Sequence, residues 1–258
     1  MQNKNLIFDS HAHYDDEKFD GDREQILSSL PQSGVCCVIN NGIDLETSLL
    51  SIKFAEKYSY IYAAVGVHPH EAQNAPKDYL DKLRKMLRHK KVVAVGEIGL
   101  DYHYDFSPRD VQRRIFEEQL QLAKELNIPV IIHDREAHAD TLELLKKYRP
   151  MGVVHCFSGS AEMAREVIEL GMYIGLGGAV TFKNAKTPVQ VAEFVPIDKL
   201  LLETDAPYMT PVPFRGQRCD SSHIAITAEK IAQIRNIQQD ELLCITCNNA
   251  KNLFGINF

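Results

Sequence analysis

The feature that most restricts what this chain can become is a recurrence of short apolar, β-branched-rich runs, with amphipathic stretches between them. The runs are Asn5–Ser10, Val35–Asn40, Ile61–Val67, Val92–Glu97, Pro129–His133, Gly152–Cys156, Met172–Gly177 and Lys199–Glu203. Most are nearly continuous rather than alternating, the pattern of parallel strands covered on both faces. Helical patterns lie between them at Leu45–Lys57, Arg109–Leu126, Ala137–Lys147 and Ala161–Leu170, the last closed by Gly171, a helix C-cap signal. Eight such units of about 32 residues fill the 258 residues and predict an α/β fold, one (β/α)8 TIM barrel. An extra C-terminal helix is expected near Asp240–Leu253. An open doubly wound sheet is the competing arrangement, but no glycine-rich dinucleotide turn follows the first run. A prior of ~150 residues per domain suggests two domains. No linker, repeat or low-complexity stretch divides the chain, however, so residues 1–258 read as a single domain.

Charge limits the partners. With 35 acidic and 29 basic side chains the net charge is −6, the opposite sign to a protein that tracks nucleic acid over a broad basic face. A nucleic-acid substrate would have to be gripped locally, by bound cations and a few Arg or Lys. The six cysteines do not form a disulfide-scaffold pattern in a chain of this length. Cys244 and Cys247 make a lone C-x-x-C with no second pair to complete a four-thiolate site, so they read as small residues on the C-terminal helix. The start, MQNKNLIFDS, lacks a signal-peptide core, and no segment has the ~18 apolar residues of a membrane span. The expected setting is the reduced cytoplasm, without membrane association or an obligate protein partner.

The runs end in reactive side chains. The first ends in Asp9-Ser10-His11-Ala12-His13, which puts two imidazoles on one strand face. The fourth ends at Glu97, the fifth at His133, the sixth near His155, and the eighth runs into Glu203-Thr204-Asp205. One buried histidine is commonly just a hydrogen-bonded core residue. A carboxylate closing an apolar strand is harder to explain that way, because an unpaired buried charge is costly. Four histidines and two acids on one rim of a barrel, the rim where barrels place catalysis, read as a site for one or two divalent ions.

Those residues, in their contexts, resemble the TatD-type metal-dependent deoxyribonucleases within the amidohydrolase-like barrel hydrolases. The matching stretches are FDSHAHYDD, VGVHPH around His68 and His70, GEIGLDY at Glu97–Tyr102, IIHDRE at His133, HCFSG at His155 and LLETDAPY at Glu203–Asp205. They occur in order over nearly the whole chain. The resemblance implies metal ligation by His11, His13, Glu97, His133, His155 and Asp205, with Glu97 bridging two ions and Asp205 also accepting a proton. One departure follows Arg215–Gly216: this chain reads Gln217-Arg218-Cys219-Asp220-Ser221 where the family commonly has Arg-Asn-Glu-Pro. It leaves the metal ligands untouched and falls on the loop after strand eight.

The activity so implied is hydrolysis of DNA phosphodiesters by metal-activated water, with 3′–5′ exonuclease trimming of single strands or 3′ ends. The alternative is an amidohydrolase-like enzyme acting on a small ester, lactone or amide, and a third reading is metal binding without catalysis. Candidate substrate contacts are His68, Arg135, Ser158 and Ser160, the serines at a turn that opens a helix. For Arg135 the bland alternative is a surface ion pair, and for the serines it is N-capping. Asp101, His103 and Glu203 are candidates to orient ligating imidazoles. His89, His138 and His223 read as ordinary surface or helix residues. Four imidazoles favour Zn, Mn, Co, Fe or Ni over Mg, although Mg remains compatible with activity.

Overall fold

The computed structural model describes residues 6–257, so Asn5, the first residue of the first expected strand, lies outside the described residues. Eight strands form one parallel sheet in sequence order: β1 (Ile7–Ala12), β2 (Val35–Asn41), β3 (Ile61–Val65), β4 (Val92–Asp101), β5 (Val130–Arg135), β6 (Gly152–Val154), β7 (Tyr173–Leu176) and β8 (Leu200–Leu202). The helices are α1 (Arg23–Ser29), α2 (Leu45–Lys57), α3 (Tyr79–Met86), α4 (Arg109–Leu126), α5 (His138–Tyr148), α6 (Ala161–Glu169), α7 (Lys186–Phe194), α8 (Ile224–Arg235) and α9 (Gln239–Phe254). This is the expected TIM barrel, with α9 as the expected extra C-terminal helix. No described helix is long and apolar enough to cross a membrane.

The period of two along each strand sorts side chains between two cores. Phe8, Ile39, Ala64, Ala94, Ile131, Val153 and Leu201 share one apolar cluster with Leu253, Phe254 and Ile256 at the end of the chain. Their strand neighbours, among them Val38, Val65, Val130, Ile132, Val154 and Leu202, belong to a larger cluster with the surrounding helices. The first cluster fills the barrel interior, and α9 plugs its lower end, Phe254 stacking on Phe8 at 6.2 Å between ring centroids.

Closure between β1 and β8 draws on side chains as well as on backbone. Asp9 is fully buried and accepts hydrogen bonds from the Thr204 amide (3.0 Å), the Thr204 hydroxyl (2.6 Å) and the Ser221 hydroxyl (2.6 Å). Ser10 donates to the Leu202 carbonyl, and backbone bonds also cross the seam just beyond the strands, from the Asp205 amide to the His11 carbonyl (3.0 Å) and from the His13 amide to the Ala206 carbonyl (2.7 Å). Above the seam, the loop carrying Gln217–Ser221 is fixed in place. Arg218 makes two hydrogen bonds to Asp22 (2.8 and 2.6 Å), the Cys219 amide meets the Pro207 carbonyl, and Ser221 joins the Asp9 network.

Several strand ends differ from expectation, three of them beside site residues. β4 does not stop at Glu97 but runs on to Asp101, with a register irregularity against β5 between Val95 and Ile98. β6 and β8 stop earlier than expected, so His155 and Asp205 follow their strands rather than lie in them. The chain turns there: Cys156 and Asp205 adopt left-handed φ values of 42° and 63°, a region that aspartate tolerates better than most residues.

Candidate metal centre

Glu97 is the hub. It projects from β4, 3% exposed, and its two oxygens face different partners. Oε2 lies 3.3 Å from Nε2 of both His11 and His13. Oε1 lies 2.7 Å from His155 Nε2 and 2.8 Å from His133 Nδ1. Asp205 Oδ1 closes the first group, 3.8 Å from His11 Nε2 and 3.6 Å from His13 Nε2. The six side chains singled out in the sequence therefore meet in one cluster, at the C-terminal ends of the strands.

The chemistry of this donor set fits divalent cations. His11 Nε2 and His13 Nε2 approach to 2.9 Å, and His133 Nδ1 and His155 Nε2 to 3.4 Å. Donors ~2.1 Å from a shared tetrahedral ion sit ~3.4 Å apart, so the separations match converging lone pairs. The far side of the rings supports the same assignment. His13 Nδ1 is 2.9 Å from the Asn41 carbonyl, which can only accept, so that nitrogen carries the proton and Nε2 offers its lone pair. His133 Nε2 likewise donates to Asp101 at 3.0 Å, leaving Nδ1 free to ligate. Such partners fix tautomer and ring orientation.

Electrostatics point the same way. Burial raises the cost of ionising Glu97, but the surrounding His155, His11 and His68 hold it well below the ordinary carboxylate range. Burial opposes charge on His13 and His133, yet hydrogen bonding and attraction to Glu97, with Asp101 for His133, raise them to about 10 and about 9. Loss of solvent raises Asp205 above its usual value. The centre is a pocket built to hold positive charge.

The other singled-out residues separate. His68 is buried with Nε2 3.5 Å from Glu97 Oε1, and its Nδ1 accepts the His70 amide at 3.1 Å. Burial lowers its pKa to about 3, so the neutral ring carries its proton on Nε2 and points a donor, not a lone pair, into the site. Arg135 is exposed at the end of β5, its guanidinium 4.6 Å over the Tyr104 ring, with no carboxylate partner among the described residues. The surface ion pair considered as its bland alternative is not formed. Ser160 caps α6, accepting the Met163 amide at 3.2 Å, and Ser158 donates to the Asp134 carbonyl at 3.4 Å, so both hydroxyls are already engaged.

Of the three candidate orienting residues, Asp101 contacts a cluster histidine directly. Glu203 is buried behind His155, its Oε1 accepting the Cys156 amide and lying 3.9 Å from His155 Nδ1, and burial raises it to about 8. Gly175 leaves it room: a Cβ there would stand 2.5 Å from Glu203 Oε2. His103 is a correction. It pairs at the surface with Glu136 (2.7 Å) and touches no cluster imidazole, because the chain leaves β4 at Asp101 and turns outward. His138 bonds Asp134, His223 contacts Asp220, and His89 faces Glu56, all away from the centre.

Three contributors had not been assigned a role. His70 donates to Asp101 Oδ2 at 3.0 Å, the oxygen that also receives His133; its place in VGVHPH was the available signal. Gln112 of α4 accepts the Asp101 amide and donates to the Asp101 carbonyl, holding the end of β4. Asp9 ties the seam under His11. No period or spacing distinguishes a buried glutamine on an amphipathic helix from an exposed one.

An eight-stranded barrel with a carboxylate-centred histidine cluster at its strand ends defines a metal-dependent hydrolase. The family model for TatD related DNase matches residues 8–255, and the chain belongs to that family. It is 43% identical over 255 residues, 98% of this chain and all of the relative, to a Bacillus subtilis protein named uncharacterized metal-dependent hydrolase YabD. It is 35% identical over 261 residues to a Citrobacter koseri protein named 3′-5′ ssDNA/RNA exonuclease TatD, covering 98% of this chain and 100% of that one. Among solved structures, the TatD homologue YjjV of Escherichia coli superposes with a TM-score of 0.92 at 36% identity, covering 98% of this chain and 99% of that one.

Proposed function

We propose that this chain, acting as one barrel domain in the cytoplasm, hydrolyses phosphodiester bonds of DNA, trimming single strands from the 3′ end. The observation that carries the hydrolytic reading is that the two oxygens of Glu97 face two separate sets of histidines. His11, His13, Asp205 and one Glu97 oxygen would hold one divalent ion, and His133, His155 and the other oxygen a second. Bound there, such ions lower the pKa of water from 15.7 to about 7 and stabilise charge on phosphate oxygens. The imidazole-rich set favours Zn, Mn, Co, Fe or Ni, with Mg able to support activity. The name of the Citrobacter koseri relative, matched along its full length, supports nucleic acid as the substrate.

The protein's own groups divide the remaining work. Asp205 takes the proton of the attacking water, its Oδ1 lying beside His11 and His13 at the edge of the cluster. His68 donates from Nε2 to a phosphate oxygen, and Arg135 supplies an unpaired guanidinium at the rim. Asp101 keeps His133 in one tautomer.

The test is a parallel assay of metal-loaded protein on 3′-labelled single-stranded DNA, on RNA, and on a panel of lactones and esters. Stepwise shortening of DNA is expected, and Asp205→Asn should remove most turnover while retaining much of the metal. Turnover of the ester panel without DNA cleavage would overturn the nuclease reading in favour of an amidohydrolase-like one. Unchanged turnover in Asp205→Asn would remove its role as base.

A further inference from the structure

The exposed apolar side chains of this barrel are concentrated at one end. Of seven large hydrophobic side chains that stand well open to solvent among the described residues, five are Tyr104, Phe106, Tyr208, Val212 and Phe214. All five lie on the β4–α4 and β8–α8 loops. Those loops leave the C-terminal ends of strands four apart in a ring of eight, so they face each other across the mouth that holds the histidine cluster. Exposed apolar area gathered beside a reactive site marks a binding surface.

The β4 side is the more organised. Tyr104 and Phe106 stack with ring centroids 5.1 Å apart and planes within 14°, and they are 48% and 58% exposed. Arg135 lies over Tyr104. His70 sets its ring edge-on to both, at 5.5 and 4.8 Å, and bonds through Nε2 to Asp101, which holds His133 of the cluster. The rings and the cluster thus share one wall. The loop itself is held from below. The His103 and Tyr104 amides donate to Asp101 Oδ1, the Gln73 side chain donates to the Phe106 carbonyl, and Ser107 donates to the His70 carbonyl. These rings are fixed in place before anything binds.

We infer that Phe106, backed by Tyr104 in the same stack, forms a base-stacking subsite beside the scissile phosphate, with Arg135 contacting the phosphate of the same strand; the inference rests on the nuclease reading above. The occupant is one unpaired nucleotide base. Every base has a π-face, so stacking tolerates any sequence. A base inside a duplex has both faces covered by its neighbours and cannot lie on the rings. The stack therefore selects single strands by requiring a free face, and a guanidinium beside it supplies local positive charge on a chain whose net charge is −6.

The experiment compares a labelled single-stranded oligonucleotide with the same strand made abasic near its 3′ end, using metal-loaded wild type and Tyr104→Leu/Phe106→Leu. Leucine keeps apolar bulk and removes the flat face. The wild type is expected to show a KM roughly ten- to a hundredfold lower for the intact strand than for the abasic one. In the double variant that gap closes, the loss falling on KM rather than kcat, with metal content by elemental analysis equal to wild type. A gap that persists in the variant overturns the subsite. So does an equal loss on both strands, which would mark a structural role. A wild type that degrades neither strand overturns the nuclease reading, and the subsite with it.

Discussion

Glu97 and the imidazoles around it set each other's charge, and this has a measurable consequence in pH. His13 and His133 are raised to about 10 and about 9 because Glu97 for the first, and Asp101 with Glu97 for the second, outweigh the cost of burial, and burial raises Glu203 to about 8. All three bind protons more tightly in the folded chain than in the unfolded one. For the histidines that stabilisation is whole below their ordinary value of 6.5 and is lost as pH rises through about 9 and about 10. For Glu203 it drains away between its ordinary 4.5 and about 8. Chelator-treated protein should therefore melt at progressively lower temperature from about pH 7 to about pH 10, while protein given back its metal should show a much flatter profile, its ligands being held deprotonated. Calorimetry with and without chelator checks this, and parallel slopes would contradict it. At this scale the sequence was informative where a charged or imidazole group closed an apolar run, as at His11, Glu97 and His133. It was mute where a role depends on a partner far along the chain. Asp9 could not be matched with Thr204 and Ser221, nor His70 with Asp101, without knowing which strands and loops meet.

Whole elements follow hydrophobic period, and their ends follow local turns. α2 and α4 begin and end where the amphipathic pattern does, because a face that must be buried sets a helix's useful length. β6 and β8 are short because the chain bends sharply at Cys156 and Asp205; a cysteine gives no sign of a left-handed turn, and one aspartate gives only a weak one. β4 runs past Glu97 because Gly99 lets it approach β5 closely; a Cβ there would stand 1.9 Å from the His133 carbonyl oxygen. The C-terminal helix was legible as a helix, but its function as the plug of the barrel floor was not, since its partners are strand residues distributed over the whole chain. Phe254 is 5% exposed, packed on Phe8 at that floor. Phe254→Ala should cost about 3 to 5 kcal/mol in denaturant unfolding and leave metal content per folded chain unaltered, because the centre lies at the opposite end of the strands. A loss below about 1 kcal/mol would show that α9 is not part of the core.

At the scale of the molecule, the barrel divides its labour along its axis. The floor is an apolar plug, the seam between β1 and β8 is closed by the Asp9 network, and the mouth gathers the histidines, carboxylates and exposed aromatic rings. Net charge of −6 would repel a polyanion, so the grip has to come from positive charge gathered locally at the mouth. In the proposed reading, bound dications, Arg135 and the donor of His68 would meet the substrate there. Everything depends on Glu97 serving two ions at once. Crystals grown with Mn or Zn, with anomalous diffraction recorded at the metal edge, test that directly. Two peaks are expected flanking Glu97, one among His11, His13 and Asp205 and the other beside His133 and His155. Neither should survive in Glu97→Ala at the same metal concentration. Anomalous density located away from these side chains, or two full peaks persisting without the Glu97 carboxylate, would contradict it.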